Sequence, residues 1–441
     1  MLNLRYIVRL VLAFISRFKI LIIASIILGI LFFFVFKFLL PVISGGSTTR
    51  IGITGRYNVS NLPNNILEMI GDGLTKLDEN GNVEPNLVTS WETPDKGKTW
   101  VFKLKNNLTW QDGKKVTSST ISYAFSDVTI EHPDESTIVF KLQHDYSAFP
   151  VIVSKPVFKK GLLGTGEWKV KNLSLSGTYV DHMTLQKNTG EKIIYKFYPD
   201  EGRTKLAFEM GETDSIEGLI NPTPFSTWPK VKVAKNINTG EYVAVFFNTK
   251  DNLLADKEIR QALAYGINKD KLGDMRALGP ISIDSWAYNP QVKPYTYDFE
   301  KAKSIINNHK KEAKVNEVSI NLTIPPILLP EGEKIAKDWE AIGLKINLEV
   351  SATVPSEYQA LLAILDIPED PDQYSIWHST QTATNLTKYH NDRIDKLLED
   401  GRSQLDVSDR KKTYLDFQRF LVEDSPAVFL YYPASYTISR K

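Results

Sequence analysis

The side chains that could do chemistry in this sequence are scattered, and no common catalytic or metal-binding motif groups them. The six histidines include no pair spaced four residues apart, the spacing that helical zinc sites often use. The sequence has no GxxxxGK(S/T) phosphate loop, no HExxH motif, no GxSxG nucleophile elbow and no GxGxxG loop after a strand. We therefore predict no catalytic residue, no bound metal and no cofactor, in a protein that is not an enzyme.

Charge and cysteine content exclude several classes of ligand and of chemical site. Lysine and arginine total 53 and aspartate and glutamate total 52, so the chain carries no excess positive charge that would attract nucleic acid. The absence of cysteine excludes disulfides, thiolate metal sites and a cysteine nucleophile. The many acidic residues leave one enzymatic alternative open. It is a carboxylate-dependent hydrolase with two carboxylates about 5 to 10 Å apart across a cleft, one of them with a perturbed pKa.

The N-terminus carries an apolar stretch long enough to span a bilayer. Every side chain from Ile20 to Phe36 is apolar, small or aromatic. The basic residues that precede it are Arg5, Arg9, Arg17 and Lys19. Because the first acidic residue is Glu68, the positive-inside rule places the N-terminus in the cytoplasm. We predict a cytoplasmic basic segment over 1–19, a transmembrane anchor over 20–44 and a linker over 45–50.

A cleaved signal peptide is the alternative for this segment. Val42 and Ser44 before Gly45 satisfy a weak small-residue cleavage pattern. The apolar run is longer than the roughly 7 to 15 residues of an ordinary signal-peptide core, so we favour a retained anchor. The protein is then expected in the plasma membrane as a single-pass chain, with its soluble body in the periplasm or at the cell surface.

Alternating strand and helix patterns in the soluble part predict an α/β fold. Apolar residues alternate with polar ones from Val318 to Ile324, then recur at helical spacing from Glu331 to Ile342, and alternate again from Leu344 to Val350. Gly343 can adopt the left-handed conformation that ends the helix. This order predicts a βαβ unit whose two strands are parallel neighbours.

Other segments extend this pattern on both sides. The predicted helices are Thr204–Met210, Asp256–Ile267 with Asp256 as N-cap, Asp392–Glu399 and Asp409–Glu423, followed by a final strand over Val428–Tyr432. Together they predict two lobes with mixed sheets, joined by chain crossings that form a hinge. Lobe I covers 51–238, with a reduced small subdomain around 113–163, lobe II covers 239–424, and 425–441 returns to lobe I.

A series of motifs runs through the soluble part of the chain: Gly73-Leu74, Asp78–Pro85, Trp91, Trp100, Phe102, Trp110–Gly113, Gly164–Trp168, Gly211–Asp214, Phe247-Asn248, Asp256–Tyr265, Asp370–Asp372, Asn391–Asp395, Arg410–Tyr414 and Pro426–Tyr432. These motifs resemble those of the bacterial extracellular solute-binding protein family 5, the oligopeptide-, dipeptide- and nickel-binding components of ABC importers. They occur in the family's order over nearly all of the chain from Arg50 onward. Each also has an ordinary structural explanation, so they identify a scaffold and not a ligand site.

The resemblance implies a two-lobed periplasmic-binding-protein-like clamshell of type II, preceded here by one N-terminal transmembrane helix. Its expected function is to capture peptides between the lobes and deliver them to the permease subunits of an ABC importer, as a monomer. Another solute on the same scaffold, such as an oligosaccharide or a chelated metal, is the alternative. This sequence departs from the family pattern at Ile367 and Ile364, where peptide binders place an aspartate and a tryptophan.

The resemblance also implies which residues line the ligand site. Peptides would lie extended along strand edges, with water-filled pockets for varied side chains. The expected ligand contacts are Tyr57 and Asn58 in lobe I, and Trp286, Asp366, Asp370, Tyr374 and Trp377 in lobe II. Asp366 is the candidate to hold the ligand's amino terminus, although the sequence leaves open whether a carboxylate does so, and the two tryptophans are candidate aromatic faces.

Overall fold

The structure is a computed structural model that describes residues 14–21, 24–25, 27–33 and 47–441. Its described residues before 47 are helical. Most of the expected cytoplasmic segment and anchor, and residues 45 and 46 of the expected linker, lie outside the described residues. Within the described ranges, no helix is long and apolar enough to cross a membrane. The first strand already begins at Thr48, inside the predicted linker.

Strands and helices are interspersed along residues 47–441 of the described chain. The strands are β1 (Thr48–Thr54), β2 (Thr75–Leu77), β3 (Val83–Pro85), β4 (Val88–Glu92), β5 (Thr99–Leu104), β6 (Val128–Asp134), β7 (Thr137–Leu142), β8 (Lys169–Ser176), β9 (Tyr179–Gln186), β10 (Lys192–Tyr198), β11 (Ser215–Leu219), β12 (Val231–Ile237), β13 (Glu241–Phe247), β14 (Ser319–Ile324), β15 (Lys345–Val350), β16 (Ala360–Asp366), β17 (Ala427–Tyr431) and β18 (Ala434–Arg440). The helices are α1 (Asn64–Ile70), α2 (Phe149–Ile152), α3 (Glu201–Glu209), α4 (Lys257–Gly266), α5 (Phe299–Ala313), α6 (Leu329–Ala341), α7 (Tyr374–Trp377), α8 (Asp392–Ser403) and α9 (Val407–Asp424).

The chain divides into two compact units that differ from the predicted lobes. The first unit contains the residues up to 59 together with 167–215, and the second contains 60–166 together with 216–441. The predicted lobe boundary at 238/239 therefore falls inside the second unit.

The first unit is built on a mixed sheet. Strand β1 is parallel to β10, and β10, β9 and β8 follow as antiparallel neighbours. Helix α3 begins earlier than the predicted Thr204 because the Asp200 side chain accepts a hydrogen bond from the Arg203 amide. The Arg50 guanidinium binds the Asp214 carboxylate at 2.8 Å and 3.1 Å.

The second unit contains a mixed five-stranded sheet in the order β15-β14-β16-β13-β17. Strand β14 is parallel to β15 and β16, whereas β13 is antiparallel to β16 and β17. Strand β14, helix α6 and strand β15 confirm the predicted βαβ unit, and Gly343 has the expected positive φ of 99°. Asp256 caps α4 as predicted, accepting a hydrogen bond from the Glu258 amide.

The prediction that the final apolar strand returns to lobe I is wrong for β17. Strand β17 pairs with β13 and is buried along its whole length, so it completes the five-stranded sheet. Only β18 leaves this sheet, and it pairs antiparallel with β12. Strand β17 is apolar on both faces, so it needs cover on both faces.

Residues between Leu74 and Val157 form a subdomain with its own hydrophobic core, wider than the predicted 113–163. Its antiparallel sheet has the order β4-β5-β7-β6, beside the hairpin β2-β3. A Cβ at Gly73 would lie 2.0 Å from the Ser154 carbonyl oxygen, and one at Gly164 would lie 2.2 Å from the Ile70 carbonyl oxygen. These close backbone approaches explain the two glycine motifs as structural features.

Candidate ligand-binding site

A pocket of about 530 Å³ lies at the carboxyl ends of β14 and β16 in the second unit. The loop after β14 supplies Ile327 and Leu328, the first turn of α6 supplies Glu331, and β16 supplies Ile364. Ligands of open α/β sheets bind outside the carboxyl ends of the strands, and the pocket has the volume of a small-molecule site. Its position and size make it the candidate ligand-binding site.

Exposed isoleucines line much of this pocket. The exposed fractions are 53% for Ile220, 39% for Ile237, 50% for Ile327 and 37% for Ile364. Exposed apolar side chains that converge on one concave surface are typical of ligand-binding grooves. This wall suits apolar groups of a ligand.

Two carboxylates are cross-strand neighbours, and one of them, Glu241, lines the same pocket. Glu241 begins β13 and lines the pocket, and it is the direct cross-strand partner of Asp366 at the end of β16. Burial and the neighbouring charge of Asp366 raise the pKa of Glu241. Because like charges repel across a strand pair, a positively charged ligand group would relieve this repulsion. The two carboxylates are neighbours on one sheet, whereas the hydrolase alternative requires carboxylates facing each other across a cleft.

The aspartates of the 370–372 loop are held inside the protein by arginines. Asp370 and Asp372 are both less than 8% exposed. Arg410 donates to the Asp370 carboxylate at 2.5 Å and 3.1 Å, and Arg402 donates to Asp372 at 2.9 Å and 3.0 Å. Burial raises the pKa of Asp372, and the charge of Arg402 opposes this rise. The loop carboxylates thus fix the loop's shape, and ligand contact by Asp370 stays a prediction.

These arginines also bring together two of the predicted aromatic residues. The Arg402 guanidinium lies 4.0 Å from the centre of the Tyr374 ring, and the Arg410 guanidinium lies 5.4 Å from the centre of the Trp286 ring. Both rings are half-buried. Trp286, Asp370 and Tyr374 therefore form one cluster around the loop.

The other predicted site residues lie elsewhere. Trp377 is 1% exposed and packs against Phe246 and Phe429, in the core. Asp366 is exposed at the end of β16, beside Glu241. Tyr57 and Asn58 belong to the first unit, where the Tyr57 ring packs on Phe197 with ring centres 5.4 Å apart.

Sequence reasoning missed Glu241 and the arginine partners Arg402 and Arg410. A charged residue directly before the apolar run Tyr242–Phe247 was an available signal for Glu241, because it marks the exposed end of a buried strand. The arginines lie 30 and 40 residues from their aspartates, on α8 and α9. No local pattern predicts such pairs.

Two solved structures with a similar fold contain a bound solute. The oligopeptide-binding protein AppA from Bacillus subtilis, solved in complex with a nonapeptide, has a TM-score of 0.67 and 20% identity, covering 90% of this chain and 95% of that one. NikZ from Campylobacter jejuni, solved with Ni(L-His), has a TM-score of 0.70 and 21% identity, covering 89% and 94%. The fold is therefore the α/β periplasmic-binding-protein-like fold with mixed sheets.

Sequence comparison places the chain within that class. The oligopeptide-binding protein AppA of Bacillus subtilis (strain 168) is 24% identical over 467 aligned residues, covering 86% of this chain and 83% of AppA. The family model described as bacterial extracellular solute-binding proteins, family 5 Middle, matches residues 82–383. The chain belongs to this family of solute-binding proteins, which confirms the resemblance drawn from its motifs.

Proposed function

We propose that this protein is the extracytoplasmic substrate-binding component of an ABC importer, which captures peptides between two lobes and delivers them to membrane permease subunits. Family membership supports this role, and AppA, a relative with a similar fold, is an oligopeptide-binding protein. The observation that carries the proposal is the pocket at the carboxyl ends of β14 and β16. It combines exposed isoleucines with the carboxylate of Glu241, whose cross-strand neighbour is Asp366.

Glu241 and Asp366 are proposed to bind the positively charged amino terminus of the peptide. Ile367, at the position where the family pattern has an aspartate, is 9% exposed, and its amide donates to the Gly240 carbonyl at 2.7 Å. The isoleucine side chain at position 367 cannot supply the negative charge that would bind an amino terminus. Glu241 at the start of β13 and Asp366 at the end of β16 are the nearby carboxylates that would supply this charge instead. The isoleucines of the pocket would contact apolar side chains of the ligand.

The remaining predicted residues enter the proposal in two roles. The residues that stay proposed ligand contacts, as the family resemblance implies, are Tyr57, Asn58, Trp286, Asp370 and Tyr374. Trp377 is instead proposed to support the wall of the second unit, because it packs against Phe246 in the core.

The proposal keeps an N-terminal tether. It is supported by the apolar sequence from Ile20 to Phe36 and by the basic residues before it. A tethered chain should stay with the membrane fraction after high-salt washing and be released by detergent. Recovery of the full-length chain in the soluble fraction would contradict the tether without affecting the binding function.

Thermal unfolding of the full-length chain with and without a mixed peptide library tests the function. A ligand that binds only the folded state raises the unfolding temperature by mass action. We expect an upward shift with peptides that have free amino termini and a smaller shift with the same library after N-acetylation. No shift with either library would contradict peptide capture.

A metal chelate is the second candidate ligand, because NikZ, solved with Ni(L-His), has a similar TM-score to AppA. Among the described residues, no group of three or more His, Asp or Glu side chains is arranged to hold a metal ion. Nickel would therefore have to arrive already bound to a chelator. A thermal shift with nickel and L-histidine together, and none with peptides, would replace the peptide by a chelate.

A further inference from the structure

The subdomain formed by residues 74–157 makes two contacts near the 370–374 loop. The first joins Ser147 to Arg402, the residue of α8 that pairs with Asp372 of the loop. The Ser147 amide and its hydroxyl both donate to the Arg402 carbonyl at 2.8 Å. The ring of Tyr146 lies beside the Arg402 guanidinium, with 5.2 Å between the guanidinium carbon and the ring centre. This contact uses both the backbone and the side chain of Arg402.

A second contact lies at the tip of the hairpin β2-β3. The Trp286 amide donates to the Asn80 carbonyl at 3.2 Å, and a Cβ at Gly81 would lie 3.8 Å from the Trp286 ring. The Asp78 carboxylate shapes this tip by accepting hydrogen bonds from the Asn80 and Asn82 amides. The hairpin tip is therefore preformed and rests on Trp286.

The two contacts are linked through the loop. Arg402, which holds Ser147, is paired with Asp372, and Arg410, which lies beside Trp286, is paired with Asp370. The Asp372 amide in turn donates to the Asp370 carboxylate at 2.9 Å. A chain of hydrogen bonds and ion pairs thus runs from Ser147 through the loop to Arg410, and the cation–π contact between Arg410 and Trp286 completes it.

The junction beside Ser147 is loosely packed. A cavity of about 270 Å³ is lined by Arg402 and by residues of the subdomain, among them Phe125, Tyr146 and Phe149. Separating loosely packed surfaces forfeits little dispersion energy, so the polar contacts dominate the energy of opening.

We infer that the Ser147–Arg402 and Asn80–Trp286 contacts form one clasp, which opens and closes cooperatively and couples the position of the subdomain to the 370–374 loop. Arg402 is its positioning residue, because its carbonyl holds Ser147 while its guanidinium holds Asp372 and covers Tyr374. The clasp does not depend on the identity of the ligand.

Native-state hydrogen exchange of the full-length chain tests this coupling at the Ser147 and Trp286 amides. In Arg402→Lys the paired hydrogen bonds to Asp372 and the planar contact with Tyr374 are lost. We expect both amides to exchange roughly tenfold faster, whereas the Val245 amide in the centre of the sheet stays unchanged. Arg419→Lys is the matched control, because Arg419 also pairs with an aspartate at 2.9 Å and lies over a phenylalanine ring, but at the surface.

Faster exchange at Ser147 with unchanged exchange at Trp286 would show two independent contacts and overturn the clasp, as would unchanged exchange at both. If the Val245 amide also exchanges faster in Arg402→Lys, the variant has destabilised the whole sheet. Ser147→Ala, which removes only the hydroxyl hydrogen bond, then becomes the test of the clasp. In that variant the clasp requires faster exchange at Trp286 as well. A change confined to the 147 region overturns it.

Discussion

Two acidic regions of the second unit use carboxylates in opposite ways. In the 370–372 loop, each aspartate is buried and paired with its own arginine. Where β13 begins and β16 ends, Glu241 has the carboxylate of Asp366 as its cross-strand neighbour, beside a pocket with exposed isoleucines. A carboxylate neutralised by an arginine inside the protein thus shapes a loop, whereas the carboxylate of Glu241, held beside a like charge, is the one we propose for ligand binding.

The largest expected effect is the loss of the arginine from the more buried pair. Arg410→Met leaves Asp370 as a buried charge without its cation, which costs about 3–5 kcal/mol of unfolding free energy. Denaturant unfolding measures this loss. Arg419→Met, which breaks an exposed pair, should cost about 1 kcal/mol or less. Equal losses in the two variants would contradict the structural role of the Asp370–Arg410 pair.

A smaller loss is expected at the second loop pair. Asp372→Asn keeps the shape of the side chain but removes the charge that holds Arg402, whose side chain is 31% exposed and can be hydrated. We expect a loss of about 1–2 kcal/mol, measured by the same unfolding experiment. A loss as large as that of Arg410→Met would show that exposure does not distinguish the two pairs.

Loss of the Glu241 charge should have the opposite effect on stability from loss of the loop ion pairs. Glu241→Gln removes a like-charge repulsion, so the unfolding free energy at neutral pH should stay equal or rise. Binding of peptides with free amino termini should weaken about tenfold, because a charge-assisted contact is lost. Glu333→Gln is the matched control, because Glu333 is exposed on α6 outside the pocket lining, and it should leave binding unchanged. A destabilised Glu241→Gln variant with unchanged binding would reverse the comparison between the two regions.

The smallest expected effect is the pH dependence of the difference in unfolding free energy between the wild type and Glu241→Gln. The pKa of Glu241 is raised in the folded state, so the folded protein binds more protons than the unfolded chain above the ordinary value of 4.5. The wild type should therefore lose stability relative to Glu241→Gln as pH rises from 4.5 through the raised pKa. Below 4.5 the difference should vanish. Unfolding temperatures of both proteins between pH 4 and 7 measure it, and a difference that grows toward acid would contradict the raised pKa.

Local signals in the sequence predicted much of the fold. The Asp256 cap, the left-handed Gly343 and the alternating strands of the βαβ unit each depend on a few neighbouring residues, and the structure confirms them. The assignment of β17 failed because an apolar run does not specify which sheet it joins. The arginine partners and the pairing of Glu241 with Asp366 depend on long-range packing, which spacing along the chain does not reveal.

Native mass spectrometry of the full-length chain incubated with a mixed peptide library measures whether Glu241 and Asp366 hold a peptide. We expect the wild type to retain peptides with free amino termini. The Glu241→Gln/Asp366→Asn double variant should unfold at the same temperature or higher and retain far fewer of them. Equal retention by both proteins would contradict the proposed amine site, and retention by neither would contradict peptide capture itself.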